Sequence, residues 1–425
     1  QVRIAACQIL IDVLPFTGFN HTMKSVAIIG GGASGLMAAC FAAERAKVTV
    51  FERQKMAGRK ILATGNGRCN ISNRGLDAAR YHGKNPSIVR NIFGRFGLDE
   101  TESFFESIGL PLVDGKDGKL FPASLQASSV QKLLVYEAQK RGADIILHRR
   151  VDEIIPEGGR ITLVTAGHER LSFDGVILAA GSCAYPGLGA SRSGYELAAS
   201  LGHAVHTPFP AIVPLNIPMK SLHKLEGIKW DCRLRAITGD IQIGESTGEL
   251  LFTKYGISGP AALEVSRAVN AEAVAGRQAD IIIDFFPDKD GREVSSLCAL
   301  LWNDGERTAA FSLTGILKER MPEAILGAAG IDPFRLVRDL TPVEKSSIVA
   351  ALKEFRIPTG KPRGFEEAVV AAGGVDTDEI DPATMESRRV KGLYLTGELL
   401  DIDGDSGGFN LQFAWSTGAI AGMVV

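Results

Sequence analysis

The stretch Ser25–Glu52 reads SVAIIGGGASGLMAACFAAERAKVTVFE. Val26–Ile29 is a short apolar, β-branched run, the pattern of a strand buried in a parallel sheet. Gly30-Gly31-Gly32-Ala33-Ser34-Gly35 follows, with glycines in the G-x-G-x-x-G spacing. Leu36–Arg45 is rich in Ala, Leu and Met and reads as helix. Val48–Phe51 is a second apolar run, and it ends at Glu52, 22 residues after Gly30. Strand, glycine turn, helix, strand and acid predict a dinucleotide-binding βαβ unit. Gly30 permits the tight turn, Gly32 lets a pyrophosphate approach the backbone, and Gly35 lets helix and strand pack closely. The helix N-terminus, with Ala33 and Ser34 in the turn before it, offers free N–H groups and a positive dipole end to the phosphates. Glu52 accepts hydrogen bonds from ribose hydroxyls. The motif by itself leaves FAD and NAD both open.

A chain of 425 residues has length for two or three domains and a large core. Its 45% hydrophobic and 23% charged content is that of a soluble globular protein. A net charge of −2 argues against a general nucleic-acid or anionic-membrane surface. The six cysteines are scattered and form no C-x-x-C, so neither a metal site nor a dithiol motif is expected. In a chain of this size they read as free thiols in a reducing cytoplasm. Residues 1–22 read as an extension outside the fold, with Met23 as the natural start. Ile4–Phe16 is apolar but holds Asp12 and Pro15, which fits neither a signal peptide nor a membrane span.

After Glu52, residues Arg53–Gly75 mix four Arg, two Lys and three Asn among several glycines. The stretch is too polar for a regular element and is placed to fold back over the cofactor. Arg59, Lys60 and Arg68 suit pyrophosphate charge. Asn66, Asn70 and loop amides such as that of Gly58 suit a heterocycle's edge. Ile88–Leu110 reads as one helix, Leu112–Pro122 as a hairpin, and Ser128–Arg141 as a helix after a Ser cap. Asp144–Leu147 reads as a strand, with Val151–Ile155 and Arg160–Thr165 antiparallel beyond it. Val151 is placed to offer backbone groups to adenine. Val176–Leu178 is a buried strand whose small exit, Ala179-Ala180-Gly181, lets the chain pass close to a cofactor.

The texture changes from about Gly194 to Gly364. Short alternating runs broken by Pro208, Pro210, Pro214 and Pro218 suit a small β-barrel. Ala261–Val269, Glu293–Leu301, Ser312–Met321, Ile331–Asp339 and Pro342–Glu354 read as helices. The resulting expectation is an α/β fold in which the middle region is a barrel (194–260 and 340–364) with a helical insertion (261–339). No second G-x-G-x-x-G is present, so NADH or NADPH is expected as a transient donor at most. The C-terminus returns to the cofactor. Gly392–Glu398 is a strand that ends in an acid, Asp401–Gln412 is a glycine-rich loop, and Phe413–Val424 is helical. An acid suits sugar-alcohol hydroxyls, and a helix N-terminus suits the charge that builds on a flavin's N1–C2=O edge on reduction. Nicotinamide has no such need, and this shifts the reading from NAD to FAD.

Three blocks, GGGASGL with GRKILATGNGRCNISN, then FTKYGISGP, then TMESRRVKGLYLTGELLDIDGDSGGFNLQFAWSTG, resemble the bacterial YhiN/BaiN-like FAD flavoproteins. That group includes bile-acid reductases and aminoacetone oxidases. The resemblance runs from Met23 to the C-terminus and implies a discontinuous two-dinucleotide-type FAD Rossmann domain (23–193 and 365–425) with an inserted barrel that itself carries a helical module. It implies that Gly30, Gly32, Ser34, Gly35, Glu52 and Arg53 hold the ADP part. It puts Lys60, Asn66, Gly67 and Asn70 along the pyrophosphate-to-flavin region. Gly181, Glu398, Gly408, Phe409, Asn410 and Leu411 surround the flavin end, with Ala180, Gly397 and Gly407 beside them. The chain departs from the pattern at Lys254, at Ser182–Ala184 and at Arg192–Ser193, all on the side that would face substrate.

The leading expectation is a cytoplasmic FAD-dependent oxidoreductase of a small organic substrate, such as an enone, with no nucleic acid or membrane partner. A proton could come from Tyr185, Lys254 or Tyr255. Other readings are an amine oxidase using O₂, an RNA-linked FAD protein, and a non-catalytic redox sensor with Cys69 or Cys183 as its thiol.

Overall fold

The protein is described from a computed structural model that covers residues 23–425; the expected extension, residues 1–22, lies outside the described residues. The central sheet has five parallel strands: β1 (Ser25–Ile29), β2 (Lys47–Phe51), β3 (Asp144–Ile146), β4 (Gly175–Leu178) and β5 (Leu393–Leu395). Their order across the sheet is β5-β4-β1-β2-β3. Strand order therefore reverses beside β1, and its outermost member on one side comes from near the C-terminus. Val26, Ala27 and Ile28 are fully buried, as an all-apolar central strand requires.

Helix α1 (Ala33–Ala42) packs along the long C-terminal helix (Phe409–Val424) and against the helix Ala127–Lys140. A three-stranded antiparallel sheet (Val151–Glu157, Arg160–Thr165, Arg170–Phe173) packs on β1 and β4. Helix α2 (Ser193–Ser200) leads out of this unit. Beyond it, six antiparallel strands pair in the order Leu215–Asn216, Gly256–Ser258, Ile241–Thr253, Lys229–Thr238, Asp280–Asp284, Phe355–Pro358. The two outer strands approach each other where Gly360 N donates to Asn216 O at 2.7 Å and Asn216 Nδ2 donates to Lys361 O at 2.8 Å. Helix α3 (Pro260–Val274) packs on this sheet, and further helices fall between its last two strands in sequence. The region has its own apolar core, separate from that of the parallel sheet. The chain returns through β5 to α4 (Phe409–Val424).

Several elements differ from their sequence reading. Ile88–Leu110 is two helices, Ile88–Phe93 and Leu98–Ser107, because the chain turns at Gly94–Gly97. The helix read from Ser128 starts at Ala127 with Gln126 before it, and no side chain caps it. Ser312–Met321 is mostly turn between Ala309–Ser312 and Met321–Ala328, and Ile331–Asp339 keeps only the short turn Val337–Asp339. In both, the apolar spacing marks burial (Leu313, Leu317, Ile331 and Val337 are all in the core) rather than a continuous helix.

Candidate cofactor crevice

Every strand of the parallel sheet delivers residues to one crevice at its carboxyl end, where ligands bind in open α/β sheets. β1 ends in Gly30–Ser34, β2 in Glu52–Gln54, β4 in Ala179–Ser182 and β5 in Glu398, while Arg149–Val151 follow β3. Asn410, Leu411 and Ala414 of α4 close the far side, with Val369 and Val370. The crevice holds about 1320 Å³ of atom-free space, the open solvent at its mouth included. Two helices, α1 and α4, begin at its wall. The first-turn N–H groups of each have no intrahelical acceptor. It therefore carries two separate positive ends.

The glycines sort by what a side chain would meet. Gly30 has φ +104°, and a Cβ there would lie 2.5 Å from Ala179 O. At Gly35 it would lie 1.9 Å from Gly30 O, so this glycine serves helix–strand packing. At Gly32 and at Gly181 (φ +70°) a Cβ would meet no protein atom within 4 Å. Both line the crevice, so the space in front of them is open to a ligand.

The two acids expected at opposite ends are both present. Glu52 is held by its own loop: Oε2 accepts from Gly31 N at 2.9 Å and Oε1 from Gln54 N at 2.7 Å. Glu398 pairs through Oε2 with Lys60 Nζ at 2.6 Å, joining two predicted site residues 338 positions apart. Its Oε1 is buried with no partner in the protein. Folded proteins seldom leave a buried carboxylate oxygen without a hydrogen-bond partner.

Of the residues singled out from sequence, Gly30, Gly32, Ala33, Ser34, Glu52, Arg53, Arg59, Lys60, Val151, Ala180, Gly181, Glu398, Asn410 and Leu411 line the crevice. Asn410 also clasps its own loop, accepting from Gly404 N at 2.8 Å and donating to Gly404 O at 2.6 Å. The others support it from behind. Gly58 N donates to Gly31 O at 2.7 Å. At Gly397 a Cβ would meet Ser34 Oγ at 2.6 Å. Gly408 (φ +106°) packs against Ser72 O, Gly407 O accepts from Asn73 Nδ2 at 3.0 Å, and Phe409 is core. Asn66 and Gly67 lie exposed on the loop, and Asn70 sits beside Gly65. None of these eight lines the crevice. Sequence reasoning missed Arg149 and Arg150, Val369 and Val370, and Leu188–Ala190, which complete the lining. Their signal is topological: each follows a strand or a turn whose neighbour is set only by the fold.

Tyr185, Lys254 and Tyr255 are absent from the crevice wall. Tyr185 starts a turn in the left-handed region, and its N donates to Phe365 O at 3.0 Å. Lys254 is exposed, and the Arg363 guanidinium stacks 3.8 Å from the Tyr255 ring centre. Cys69 is fully buried, and burial pushes its thiol up to about 12. Cys183 is shifted up for the same reason. Neither is a thiolate at neutral pH, which removes the basis for a sensing thiol. Among the described residues no cluster of His, Cys, Asp and Glu has metal-site geometry, and no helix is long and apolar enough to cross a membrane.

A parallel sheet with a ligand crevice at its strand ends and a glycine turn feeding a helix defines a nucleotide-binding Rossmann protein. The family described as HI0933-like protein Rossmann domain matches residues 24–424, and the chain belongs to this family. It is 38% identical over 404 residues to a 3-dehydro-bile acid delta(4,6)-reductase of Clostridium scindens, covering 94% of this chain and 98% of that protein. It is 31% identical over 396 residues to a ribosomal RNA dihydrouridine synthase of Haemophilus influenzae, covering 92% of this chain and 95% of that one. A protein of the same name from Escherichia coli is 29% identical, with the same two shares covered.

Proposed function

We propose that this protein is an FAD-dependent reductase that saturates a carbon–carbon double bond conjugated to a carbonyl in a small organic molecule. The observation that carries the reading is the single crevice with a helix N-terminus and an acid at each end. α1 and Glu52 suit the ADP half of a dinucleotide, while α4, Lys60 and the open Glu398 Oε1 suit a polyol and a ring that gains negative charge. Bound FAD supplies a two-electron hydride carrier at its N5. The chain's own part is to anchor the two ends, keep α4 directed at the ring edge and leave one face open to substrate. In the overall reaction a hydride goes to the β-carbon and a proton to the α-carbon, with NADH or NADPH as the ultimate donor.

The relatives' names support the chemistry. A delta(4,6)-reductase acting on a 3-dehydro compound and a dihydrouridine synthase both saturate a C=C bond conjugated to a carbonyl. The greater identity to the former favours a free small molecule; the other two relatives favour a uridine in RNA as the second reading. We read the strands of residues 194–260 and 340–364 as the inserted substrate module, and residues 261–339 as an insert that adds helices and also one strand, Asp280–Asp284, to its six-stranded sheet. The meeting of its outer strands at Asn216 and Gly360 supports this division.

The test is anaerobic. FAD-loaded protein is bleached with NADH or NADPH, then mixed with a 3-oxo-4-ene steroid, with uridine-containing ribosomal RNA, or with buffer. Reoxidation by the enone is expected. Reoxidation by RNA alone selects the second reading. Bleaching by amines with turnover only in O₂ would establish an amine oxidase instead, and a chain that binds no FAD would end both.

A further inference from the structure

A short segment bridges the crevice. Beyond β4 and its exit, Ala179–Ser182, the chain runs through Pro186–Ala190 to α2. Leu188, Gly189 and Ala190 line the crevice, and Gly189 is fastened to residues that follow β2. The Arg53 guanidinium donates to Gly189 O. The Gln54 side chain lies so close that a Cβ at Gly189 (φ +104°) would sit 2.8 Å from Gln54 Cγ and Cδ. Arg59 Nη1 donates to Gln54 Oε1 at 3.1 Å, which steadies that side chain. In the sheet, β1 stands between β4 and β2. A segment that leaves β4 and is tied down beyond β2 therefore crosses the end of β1, where the turn Gly30–Gly32 lies. Arg53, expected to hold the ADP part, is engaged with this segment instead. The segment itself carries no core residue. Ala184 before it and Gly194 after it are buried, and no residue from Tyr185 to Ser193 is. Its internal bonds are local, Leu188 N to Tyr185 O and Gly189 N to Pro186 O, each 2.9 Å. Segments with few buried contacts open at low cost in free energy.

We propose that Pro186–Ala190 is a strap closed over the ADP half of the crevice, and that it must lift for the cofactor to enter or leave. Arg53 and Gln54 are its clasp. They act on how fast the cofactor exchanges, in both directions, more than on how tightly it is held. The inference rests on the FAD reading above.

The experiment follows FAD uptake and release by flavin fluorescence in the full chain, as wild type, Arg53→Met and Gly189→Ala. Gly189→Ala loosens the clasp from the strap's side, since its Cβ displaces the Gln54 side chain. Losing one hydrogen bond from the closed state should speed both association and dissociation about two- to tenfold, with a smaller change in Kd. A residue that only touches the cofactor would speed dissociation alone. A second measurement locks the clasp in a Gln54→Cys, Gly189→Cys double variant. Gln54 Cβ is one bond beyond Cγ, which brings the two Cβ atoms within about 4.5 Å, the reach of a disulfide. The native cysteines among the described residues are buried, so mild oxidation selects this pair. Oxidised apoprotein should lose FAD uptake, oxidised holoprotein should keep its FAD through dialysis, and reduction should reverse both. Unchanged association in both clasp variants, or exchange in the cross-linked chain as fast as in the reduced one, would overturn the proposal. A wild-type chain that binds no FAD would instead overturn the cofactor reading, and the strap's role with it.

Discussion

Glu52 and Glu398 both stand just beyond strand ends, but they are attached differently. Glu52 accepts two backbone N–H groups, so Glu52→Ala should cost stability, about 1–3 kcal/mol in urea unfolding, as well as FAD affinity. Glu398 has one oxygen on a half-exposed lysine and one with no partner. Glu398→Ala should weaken FAD binding with little change in unfolding. It should also raise the flavin potential in a redox titration, because a negative charge is removed from beside a ring that becomes more negative on reduction. The cysteines were legible only as free. Cys40, Cys69 and Cys232 are buried, with thiols pushed up to about 12. Folded-state values above the unfolded one mean that their contribution is intact below about pH 9 and is lost as pH climbs toward 12. In native protein at pH 8 these three thiols should therefore react with a thiol reagent only as fast as the protein unfolds, and melting should drop above pH 9.

At the scale of elements, the βαβ unit was readable because a strand's apolar run, a glycine turn and a helix are all local signals. The partner of α1 was not. α4 lies against it through Gly418 and Gly422, where a Cβ would fall 2.3 Å from Ser34 O and 2.5 Å from Ala38 O. Read in sequence, FAWSTGAIAG is merely a small-residue helix; only the fold shows that the small residues permit close approach. Gly418→Ala should destabilise by about 1–3 kcal/mol in chemical denaturation. Gly32→Ala is its counterpart: the backbone there is extended and the space is open, so stability should stay within about 0.5 kcal/mol while FAD binding falls sharply. Reversal of this pair of results would show that the open space in front of Gly32 is not where the pyrophosphate lies. The over-long helix readings at Ile88–Leu110 and Ser312–Met321 fail for a related reason, since apolar spacing records which residues are buried, and turns can bury them as well.

Across the whole molecule, the acids of the C-terminal DIDGD run were read as part of a cofactor loop. Instead they fasten that loop to distant parts of the chain. Asp403 is almost fully buried and takes both donors of Arg267 on α3, at 2.5 and 3.0 Å. Arg267→Met should cost about 3–5 kcal/mol, because it strands a buried carboxylate. Asp405 bonds His82 at 2.7 Å and Arg80 at 3.2 Å, and it also meets Glu264 of α3. Burial and the Asp405 charge raise the Glu264 carboxyl to about 7, so Glu264 holds the proton and Asp405 the charge. An acid raised on folding favours the fold fully below its unfolded value, and this is lost as pH rises through about 7. Glu264→Gln should accordingly melt higher than wild type at pH 8 and close to it at pH 5. A difference that does not grow with pH would refute the assignment.

The Lys60–Glu398 pair has a meaning in time as well as in space. A ribosome extends the chain from Lys60 for a further 338 residues before its partner is made. Until then β4 lacks its outer neighbour and α1 lacks the helix that covers it. A nascent or prematurely terminated chain thus has the glycine turn but only one end of the crevice. The complete crevice is therefore a property of the finished polypeptide and of no shorter N-terminal piece.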